Sequence, residues 1–258
     1  MPARRVIVTR PAREAARWVE ALRQRGLDAV ALPLIEIAPA ADGEMLRAAR
    51  GGIDRHAALM FVSAAAVEHF FLTFEPPSGF TTRTRFWATG PGTAQALIAV
   101  GVPPTAIDVP PPDAPQFDSE ALWQCVQPQA RAGTRVLIVR GGDGAGQAVG
   151  RDWLARRLEA AGAAVETVVA YRRLPPTFDA GERELANEGA RGTAIWLFSS
   201  SEAIGNLCRA CPGQDWRGAR AVATHARIAQ TAQEAGFGLV IASSPTVAAV
   251  VASIELQP

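Results

Sequence analysis

The sequence predicts an α/β protein with two similar domains, each built on a parallel sheet. Short apolar runs alternate with segments whose apolar residues recur every three or four positions, as strands alternate with helices in parallel sheets. Glycines follow equivalent helical segments at Gly26, Gly101, Gly162 and Gly236, where glycine commonly ends a helix. The order of elements in the first half recurs in the second half. A length of 258 residues accommodates two domains of ordinary size.

The first β-α-β unit lies near the N-terminus. Residues 5–10 are an apolar run that is typical of a buried parallel strand. Pro11 is expected in the first turn of the next helix, whose apolar face includes Trp18 and Leu22. Residues 27–32 then form the second strand. The short loops between these elements favour a parallel sheet covered by helices.

The same alternation continues to the C-terminal end of the sequence. Further strands are predicted at residues 57–63, 84–89, 107–109, 134–140, 194–198, 220–223 and 239–242, and another is predicted to run from Gly162 into the second crossing. Helices are predicted at residues 45–53, 64–72, 94–100, 152–161, 182–188, 203–208, 226–235 and 246–254, and a further one is capped by Asp118. Residues 141–146 are predicted to form a glycine-rich loop, and the proline-rich residues 103–115 an ordered loop or a mobile flap.

Matching segments support an internal duplication. Residues 61–67 resemble 198–204, residues 89–94 resemble 224–229, and Val8-Thr9-Arg10 resembles Ile138-Val139-Arg140. Few residues are identical between the two halves, so the evidence for a duplication is the shared order of strands and helices. Two crossings bounded by prolines, at about residues 33–39 and 168–176, divide the chain. One domain is predicted to combine residues 1–34 with 175–258 and the other to span 38–169, both flavodoxin-like, with the crossings as a two-stranded connector.

Composition excludes several kinds of chemistry. The chain has 26 arginines and no lysine, which excludes lysine Schiff bases and a Walker-type phosphate site. Codon bias alone explains this preference, but the guanidinium groups still suit bidentate binding of carboxylates. The net charge of +1 gives no sign of a nucleic-acid-binding face. The loop at 141–146 lacks the GxGxxG spacing of a dinucleotide site.

Cysteines and hydropathy limit the remaining possibilities. Cys125, Cys208 and Cys211 are too few for a disulfide framework, and a single CxxC pair without nearby histidines is not expected to bind zinc or another metal. Cys208 and Cys211 are expected at a helix end before Pro212. Neither a signal peptide nor an uninterrupted apolar run of about 18 residues is evident. We therefore expect a cytoplasmic protein with no membrane and no nucleic-acid partner.

Loops at the carboxyl ends of the strands are the candidate ligand site, because open parallel sheets bind ligands there. If the two domains face each other, both sets of loops line one cleft, and their helix N-terminal amides, hydroxyls and arginines suit anions. The candidate binding residues are Arg10, Ser63, Gly90, Thr93, Arg140, Ser199, Ser200, Ser201, Thr224, His225 and Arg227. Plain helix capping by the serines, a plain turn at Gly90 and ion pairs of the arginines with carboxylates remain alternatives.

Tyr171, the only tyrosine, lies in the second crossing. The β-favouring residues Val168–Ala170 precede it, and Pro175 and Pro176 end the segment. We expect Tyr171 at the mouth of the cleft. The alternative is a side chain that only packs on the connector strand.

Nine motifs, in this order and spacing, resemble the uroporphyrinogen-III synthase family over nearly the whole chain. No single motif is specific, but their order together with a tyrosine at the second crossing is. The motifs are VIVTRP (6–11), LPLIEIAP (32–39), FVSAAAV (61–67), ATGPGTAQAL (88–97), DSEAL (118–122), VLIVRGG (136–142), VVAYRR (168–173), FSSSEAI (198–204) and PTVAAVV (245–251).

The resemblance implies two α/β domains joined by a two-stranded connector, and a lyase of tetrapyrrole (heme) biosynthesis. Such an enzyme closes linear hydroxymethylbilane into uroporphyrinogen III, inverting the last pyrrole ring and releasing water. The resemblance also implies no cofactor, a monomer, and transient contact with the preceding enzyme of the pathway. Tyr171 is similar to the family's tyrosine, which acts as an acid near the leaving oxygen.

Two segments depart from the family pattern. Val62-Ser63-Ala64 stands where the family often has Thr-Ser-Pro, and residues 225–229 replace a Gly-x-x-Thr-Ala turn. The second change removes a hydroxyl and adds an imidazole and a guanidinium. It leaves one alternative from another functional class, which is a non-catalytic, hinge-type sensor or carrier of an anionic small molecule.

Overall fold

The protein is described by a computed structural model that covers residues 5–72, 83–150 and 152–256. The chain divides into two compact units. One unit contains the residues up to Glu36 and those from Leu174 onwards, and the other contains Ile37–Arg173. Each unit has its own sheet with predominantly parallel pairing and with helices packed on it, so the α/β fold class predicted from the sequence is confirmed.

The strands and helices of the described residues alternate along the chain. The strands are β1 (Arg5–Val8), β2 (Ala29–Ala31), β3 (Glu36–Pro39), β4 (Ala58–Phe61), β5 (Arg85–Ala88), β6 (Ile107–Asp108), β7 (Arg135–Gly142), β8 (Ala164–Leu174), β9 (Ala194–Phe198), β10 (Arg220–Ala223) and β11 (Leu239–Ala242). The α-helices are α1 (Ala12–Arg23), α2 (Gly43–Gly51), α3 (Ala64–Phe71), α4 (Pro91–Ala99), α5 (Ser119–Val126), α6 (Trp153–Ala160), α7 (Ala180–Ala190), α8 (Ser201–Ala210), α9 (Ala226–Glu234) and α10 (Val247–Glu255).

The two sheets have the same strand order when the strands are matched by position. The first unit has the order β11-β10-β9-β1-β2, and the second has β6-β5-β4-β7-β8 with β3 added beyond β8. Strand β9 therefore corresponds to β4, β10 to β5, and β1 to β7. These are the strands that carry the matching sequence segments. The duplicated units differ in where the chain enters them, since β1 and β2 come from the N-terminal part of the sequence.

Apolar side chains cover both faces of the central strands. In the second unit Phe61 and Val139 face one core, while Met60 and Ile138 face the other, which includes helices α5 and α6. Burial on both faces explains why these strands appear in the sequence as continuous apolar runs. The strands end at the carboxyl edge of the sheet, and this edge positions the candidate site.

Several predicted boundaries need correction. Gly141 and Gly142 belong to β7, because β8 continues to pair with them, so the glycine-rich loop is shorter than predicted. By contrast, the strand predicted to run from Gly162 into the second crossing is present as β8. Pro11 lies at the N-cap of α1 instead of inside its first turn, and Ser201 begins α8 instead of lying in a turn. The predicted domain boundaries and the two-stranded connector stay predictions. Strand β3 is the hydrogen-bonded neighbour of β8.

Other local predictions agree with the structure. Asp118 caps α5 by accepting the Ala121 N–H, and the proline-rich segment contains the short strand β6. Cys208 lies in the last turns of α8 and Cys211 is its C-cap residue. Within the described ranges, none of the helices combines the length and apolar character needed to cross a membrane.

The N-terminus of α7 offers a test of local stability. The Asp179 carboxylate accepts the Glu182 N–H, and the Glu182 side chain accepts the Asp179 N–H, which completes a capping box. Asp179→Ala is expected to lower the free energy of unfolding by about 1 kcal/mol, measured by urea denaturation. Glu184→Ala on the same helix removes exposed contacts with Arg191 and Asn187 but no cap, and it serves as the control. Equal losses in both variants would contradict the capping assignment.

Candidate functional site

The candidate site of the second unit lies where its strand connections reverse direction. From β4 the chain builds β5 and β6 on one side of the sheet, and then β7 and β8 on the other. The carboxyl ends of β4 and β7 flank this switch point, where open parallel sheets bind ligands. Ser63 follows β4, and Arg140 and Gly141 lie near the end of β7. The neighbouring strand β8 contributes Tyr171 to the same edge.

Tyr171 is almost completely buried, with 3% of its surface exposed. Its ring belongs to the core that contains Val168 and Ala170. The His69 ring lies nearby, with 5.7 Å between the ring centroids. The phenolic oxygen lies 3.1 Å from Ser63 Oγ, within hydrogen-bonding distance. The phenol is therefore held in one place, and its position at the mouth of a cleft stays a prediction.

A bulge in β8 decides which face of the sheet Tyr171 occupies. Arg140 pairs with Val169, but the next residue, Gly141, pairs with Tyr171, so Ala170 is an extra residue in β8. Strict alternation would place Tyr171 on the same face as Val169, opposite to the face of Val168 and Ala170. Bulges are rare between parallel strands and are enriched next to active sites, where they redirect a side chain. Here the bulge brings the phenol onto the face of Val168 and Ala170.

Gly141 lies directly beneath the tyrosine ring. A Cβ atom at Gly141 would come within 2.6 Å of Tyr171 Cζ and 2.9 Å of the phenolic oxygen. Separations below 3.0 Å do not occur for real Cβ atoms, so any larger residue displaces the ring or the strand. The close approach explains why this strand ends in glycine.

Arg140 is held by an acidic partner near its own strand end. Its side chain is 7% exposed, and its Nη1 donates to Asp152 Oδ1 at 2.8 Å. Gly150 leaves room for the guanidinium, since a Cβ there would lie 2.5 Å from Arg140 Nη2. The buried cation is therefore balanced by a carboxylate that is itself largely exposed. This is the ion pair that the sequence left as an alternative to substrate binding.

The other predicted residues of this unit lie at helix N-termini. Ser63 caps α3 by accepting the Ala66 N–H at 3.1 Å. Gly90 is the N-cap residue of α4 without a side-chain cap, and Thr93 is buried in the first turn of that helix. The neighbouring Thr89 donates its hydroxyl to the Val62 carbonyl at 3.2 Å. The hydroxyls at this edge are thus mostly engaged with the backbone.

The first unit has an equivalent edge at the ends of β9 and β1. Thr9 donates its hydroxyl to the Leu197 carbonyl at 2.8 Å, which ties the two strand ends together. Arg10, the counterpart of Arg140, donates to Glu14 at 3.0 Å and lies over the Trp18 ring at 4.5 Å. Burial lowers the pKa of Arg10, while Glu14 opposes this change. The guanidinium stays charged in any case.

Three consecutive serines after β9 have different environments. Ser199 Oγ is buried and has no hydrogen-bond partner among the described residues. Ser200 caps α8 by accepting the Glu202 N–H at 3.2 Å. The Ser201 hydroxyl lies 2.9 Å from that of Thr231. Ser199 is therefore the one of the three serines whose hydroxyl lacks a partner among the described residues, and its oxygen is enclosed by the protein.

The segment after β10 also caps a helix. Thr224 is buried, and its N–H donates to the Phe198 carbonyl at 3.0 Å. His225 is the N-cap residue of α9, and its Nδ1 accepts the Arg227 N–H at 3.0 Å. The Arg227 side chain is exposed at the same helix end. An imidazole thus performs the capping role that a hydroxyl or carboxylate usually has.

Metal ligation finds no support in the described ranges. They contain no group of three or more histidine, cysteine or acidic residues that could hold a metal ion. Burial raises the pKa of the Cys208 and Cys211 thiols, which disfavours the thiolate form that binds metals.

Comparison with known proteins identifies the family. The family model described as uroporphyrinogen-III synthase HemD matches residues 16–252. The chain belongs to this family. The synthase of Chlorobaculum parvum is 32% identical over 69% of this chain and 67% of its own length. The synthase of Salmonella typhimurium is 27% identical over 90% of this chain and 92% of its own length.

Solved structures of the uroporphyrinogen-III synthase family share the fold. The enzyme of Helicobacter pylori gives a TM-score of 0.62 at 15% identity, covering 98% of this chain and all 100% of that protein. A mutant of the Thermus thermophilus enzyme gives 0.59 at 16% identity, with 98% of both chains covered. Membership in the uroporphyrinogen-III synthase family makes this chain a lyase of tetrapyrrole biosynthesis. The alternative of a non-catalytic carrier is not favoured.

The sequence prediction omits two residues that shape the site, Thr89 and Asp152. Thr89 follows a strand and bonds to the neighbouring strand end, as Thr9 also does, and its position after an apolar run is the signal for this role. Asp152, which precedes α6, is the partner of Arg140. Gly141 is predicted in a loop at the site but lies in β7. Its close approach to Tyr171 is not visible in the sequence, because it depends on the pairing of β7 with β8.

Proposed function

We propose that the chain converts hydroxymethylbilane into uroporphyrinogen III, with Tyr171 as the acid that assists departure of the hydroxymethyl oxygen. The observation that carries this proposal is the bulge in β8. It turns the phenol onto the face where Ser63 holds it, at the switch point of the sheet. A hydroxyl group fixed at a predicted ligand site is in a suitable place for proton transfer.

The proposed reaction needs one proton transfer and a defined substrate conformation. The phenol gives its proton to the hydroxymethyl oxygen, the C–O bond breaks, and water leaves behind a reactive azafulvenium cation. The α-carbon of the last pyrrole ring that already bears a methylene bridge attacks this cation. The bond from that α-carbon to its old bridge then breaks, the bridge bonds to the free α-carbon of the same ring, and the proton lost there restores the phenol. Ring closure also occurs without an enzyme and gives the type I isomer. The main task of the protein is therefore to hold the chain so that the inverted attack is faster.

Carboxylates of the substrate are proposed to bind at the carboxyl edges of both sheets. The hydroxyl of Ser199 has an open hydrogen-bonding capacity, and Arg227 presents an exposed guanidinium at the start of α9. Arg10 and Arg140 supply positive charge, although Glu14 and Asp152 already bind one side of each guanidinium. We propose that these two arginines act mainly through their field, since direct binding would require exchange of an ion pair. The remaining candidates are proposed to contribute through the helix N-termini at Ser63, Gly90, Thr93, Ser200, Ser201 and His225. Thr224, whose N–H donates to the Phe198 carbonyl, is proposed to position the segment before α9.

We further propose that the enzyme is a cytoplasmic monomer that receives its substrate in transient contact with the preceding enzyme of the pathway. We propose domain boundaries at residues 1–34 with 175–258 and at 38–169, joined by a two-stranded connector. The division of the chain into units at Glu36 and Leu174 is compatible with these boundaries.

A coupled assay tests the proposed reaction. Hydroxymethylbilane is generated in place, and the product isomers are separated after oxidation. The wild-type chain is expected to give the type III isomer faster than the type I isomer forms without enzyme. Formation of the type I isomer alone, at the uncatalysed rate, would refute the proposed activity.

A further inference from the structure

The hydrogen bond between Ser63 and Tyr171 has a defined geometry on both sides. Ser63 has extended backbone, and its Oγ already accepts the Ala66 N–H at the start of α3. Tyr171 is fixed by the bulge at Ala170 and by contact with Gly141. Neither oxygen can move far without losing a backbone hydrogen bond or a packing contact. The distance of 3.1 Å between the two hydroxyls is therefore imposed by the fold.

The direction of this hydrogen bond determines what Tyr171 can do. Either hydroxyl can donate. If Tyr171 donates to Ser63, its proton points away from any ligand. If Ser63 donates to Tyr171, the phenolic proton is free for a substrate oxygen. A donor facing the phenolic oxygen also stabilises the negative charge that develops as the proton leaves.

Donation from Ser63 to Tyr171 leaves both hydroxyls and the Ala66 N–H with hydrogen-bond partners during the reaction. The Ser63 oxygen accepts the Ala66 N–H, and its proton is available because a hydroxyl is both donor and acceptor. Ser63 can therefore cap the helix and donate to Tyr171 at the same time. The cap holds the oxygen in place, so the donor needs no reorganisation when charge appears on the phenol.

We propose that Ser63 is a positioning residue that acts through Tyr171 by donating a hydrogen bond to the phenolic oxygen, and that it is not primarily a ligand of the substrate. The inference rests on the proposed role of Tyr171 as an acid. It changes the role that the sequence suggested for Ser63, because the hydroxyl is occupied by two partners within the same unit.

A double-mutant cycle separates this role from helix capping. Ser63→Ala is expected to lower kcat roughly 10-fold to 100-fold, as for loss of a hydrogen bond to a group that becomes charged, with KM little changed. In the Tyr171→Phe background the same change is expected to lower kcat less than about twofold, because the partner hydroxyl is gone. Ser63→Thr keeps the hydroxyl and is expected to retain most of the activity.

Thr246→Ala provides the matched control. Thr246 caps α10 through the Ala249 N–H and is not one of the candidate binding residues. Its removal is expected to lower the melting temperature through loss of the cap alone, without lowering kcat. A fall in kcat for Ser63→Ala that is just as large in the Tyr171→Phe background would overturn the proposal, even if the wild type makes the type III isomer. So would wild-type kcat for Tyr171→Phe, since Ser63 would then have no group to act through.

The single tyrosine allows a direct measurement of the hydrogen bond. A chain labelled with ¹³C at the tyrosine Cζ gives one ring signal, because Tyr171 is the only tyrosine. Ser63→Ala is expected to shift this signal, and Thr246→Ala to leave it unchanged. An unchanged signal in Ser63→Ala would overturn the proposal independently of any activity. Absence of type III product from the wild type would instead refute the proposed reaction.

Discussion

Tyr171→Phe is expected to lower kcat for the type III isomer roughly 10²-fold or more, the typical contribution of a positioned acid. The phenol is the group proposed to give a proton to the leaving hydroxymethyl oxygen, and phenylalanine keeps the ring without the proton. The measurement is the rate of type III product in the coupled assay with the purified variant. Spontaneous closure continues in the background, so the type I share of the product should rise as the catalysed rate falls.

Stability separates catalysis from folding in this variant. The ring stays in the core, and the change removes one hydrogen bond to Ser63, so the free energy of unfolding should fall by about 1 kcal/mol. A variant that is stable but slow supports the catalytic role. Wild-type turnover in this variant would show that Tyr171 is not part of the mechanism. A fall of several kcal/mol in the free energy of unfolding would show that the hydroxyl of Tyr171 is needed for folding.

Periodicity and breakers in the sequence were enough to predict the order of elements. Strands β9 and β10 have the predicted boundaries, because a strand buried on both faces is a continuous apolar run between clear breaks. The edge strand β11 also has the predicted boundaries, although its residues are only partly buried or exposed. The matching segments also correspond to equivalent strands of the two sheets. Periodicity and breakers are local features, so the residues of each strand or helix are enough to predict that element.

The geometry of the site depends on pairings that no local pattern contains. Alternation from Val169 places Tyr171 on the wrong face, and the bulge at Ala170 becomes visible only when β8 is paired with β7. The ion pair of Arg140 with Asp152 similarly joins a strand end to the residue that precedes α6. The sequence could therefore nominate Tyr171 and Arg140, but it could not predict their contacts.

Gly141→Ala is expected to disturb stability and catalysis together. The added Cβ would lie 2.6 Å from Tyr171 Cζ, so either the ring or the strand must move. Overpacking of this kind costs about 1–3 kcal/mol of the free energy of unfolding. Displacement of the ring also breaks the hydrogen bond to Ser63, so kcat should fall towards that of Tyr171→Phe. Urea denaturation and the coupled assay measure the two effects.

Gly51→Ala is the control for Gly141→Ala. Gly51 ends α2, is exposed, and has no atom within 4 Å of an added Cβ, so the change in the free energy of unfolding should stay within about 0.5 kcal/mol.

A smaller residue at position 171 shows whether the tyrosine ring causes the cost of Gly141→Ala. In a Tyr171→Leu background this stability cost should largely disappear, because the shorter side chain does not reach the new methyl group. An unchanged cost would mean that the methyl group meets the strand instead of the ring. In that case Gly141 would not contact the Tyr171 ring, and β7 would not help the bulge in β8 to orient the proposed acid.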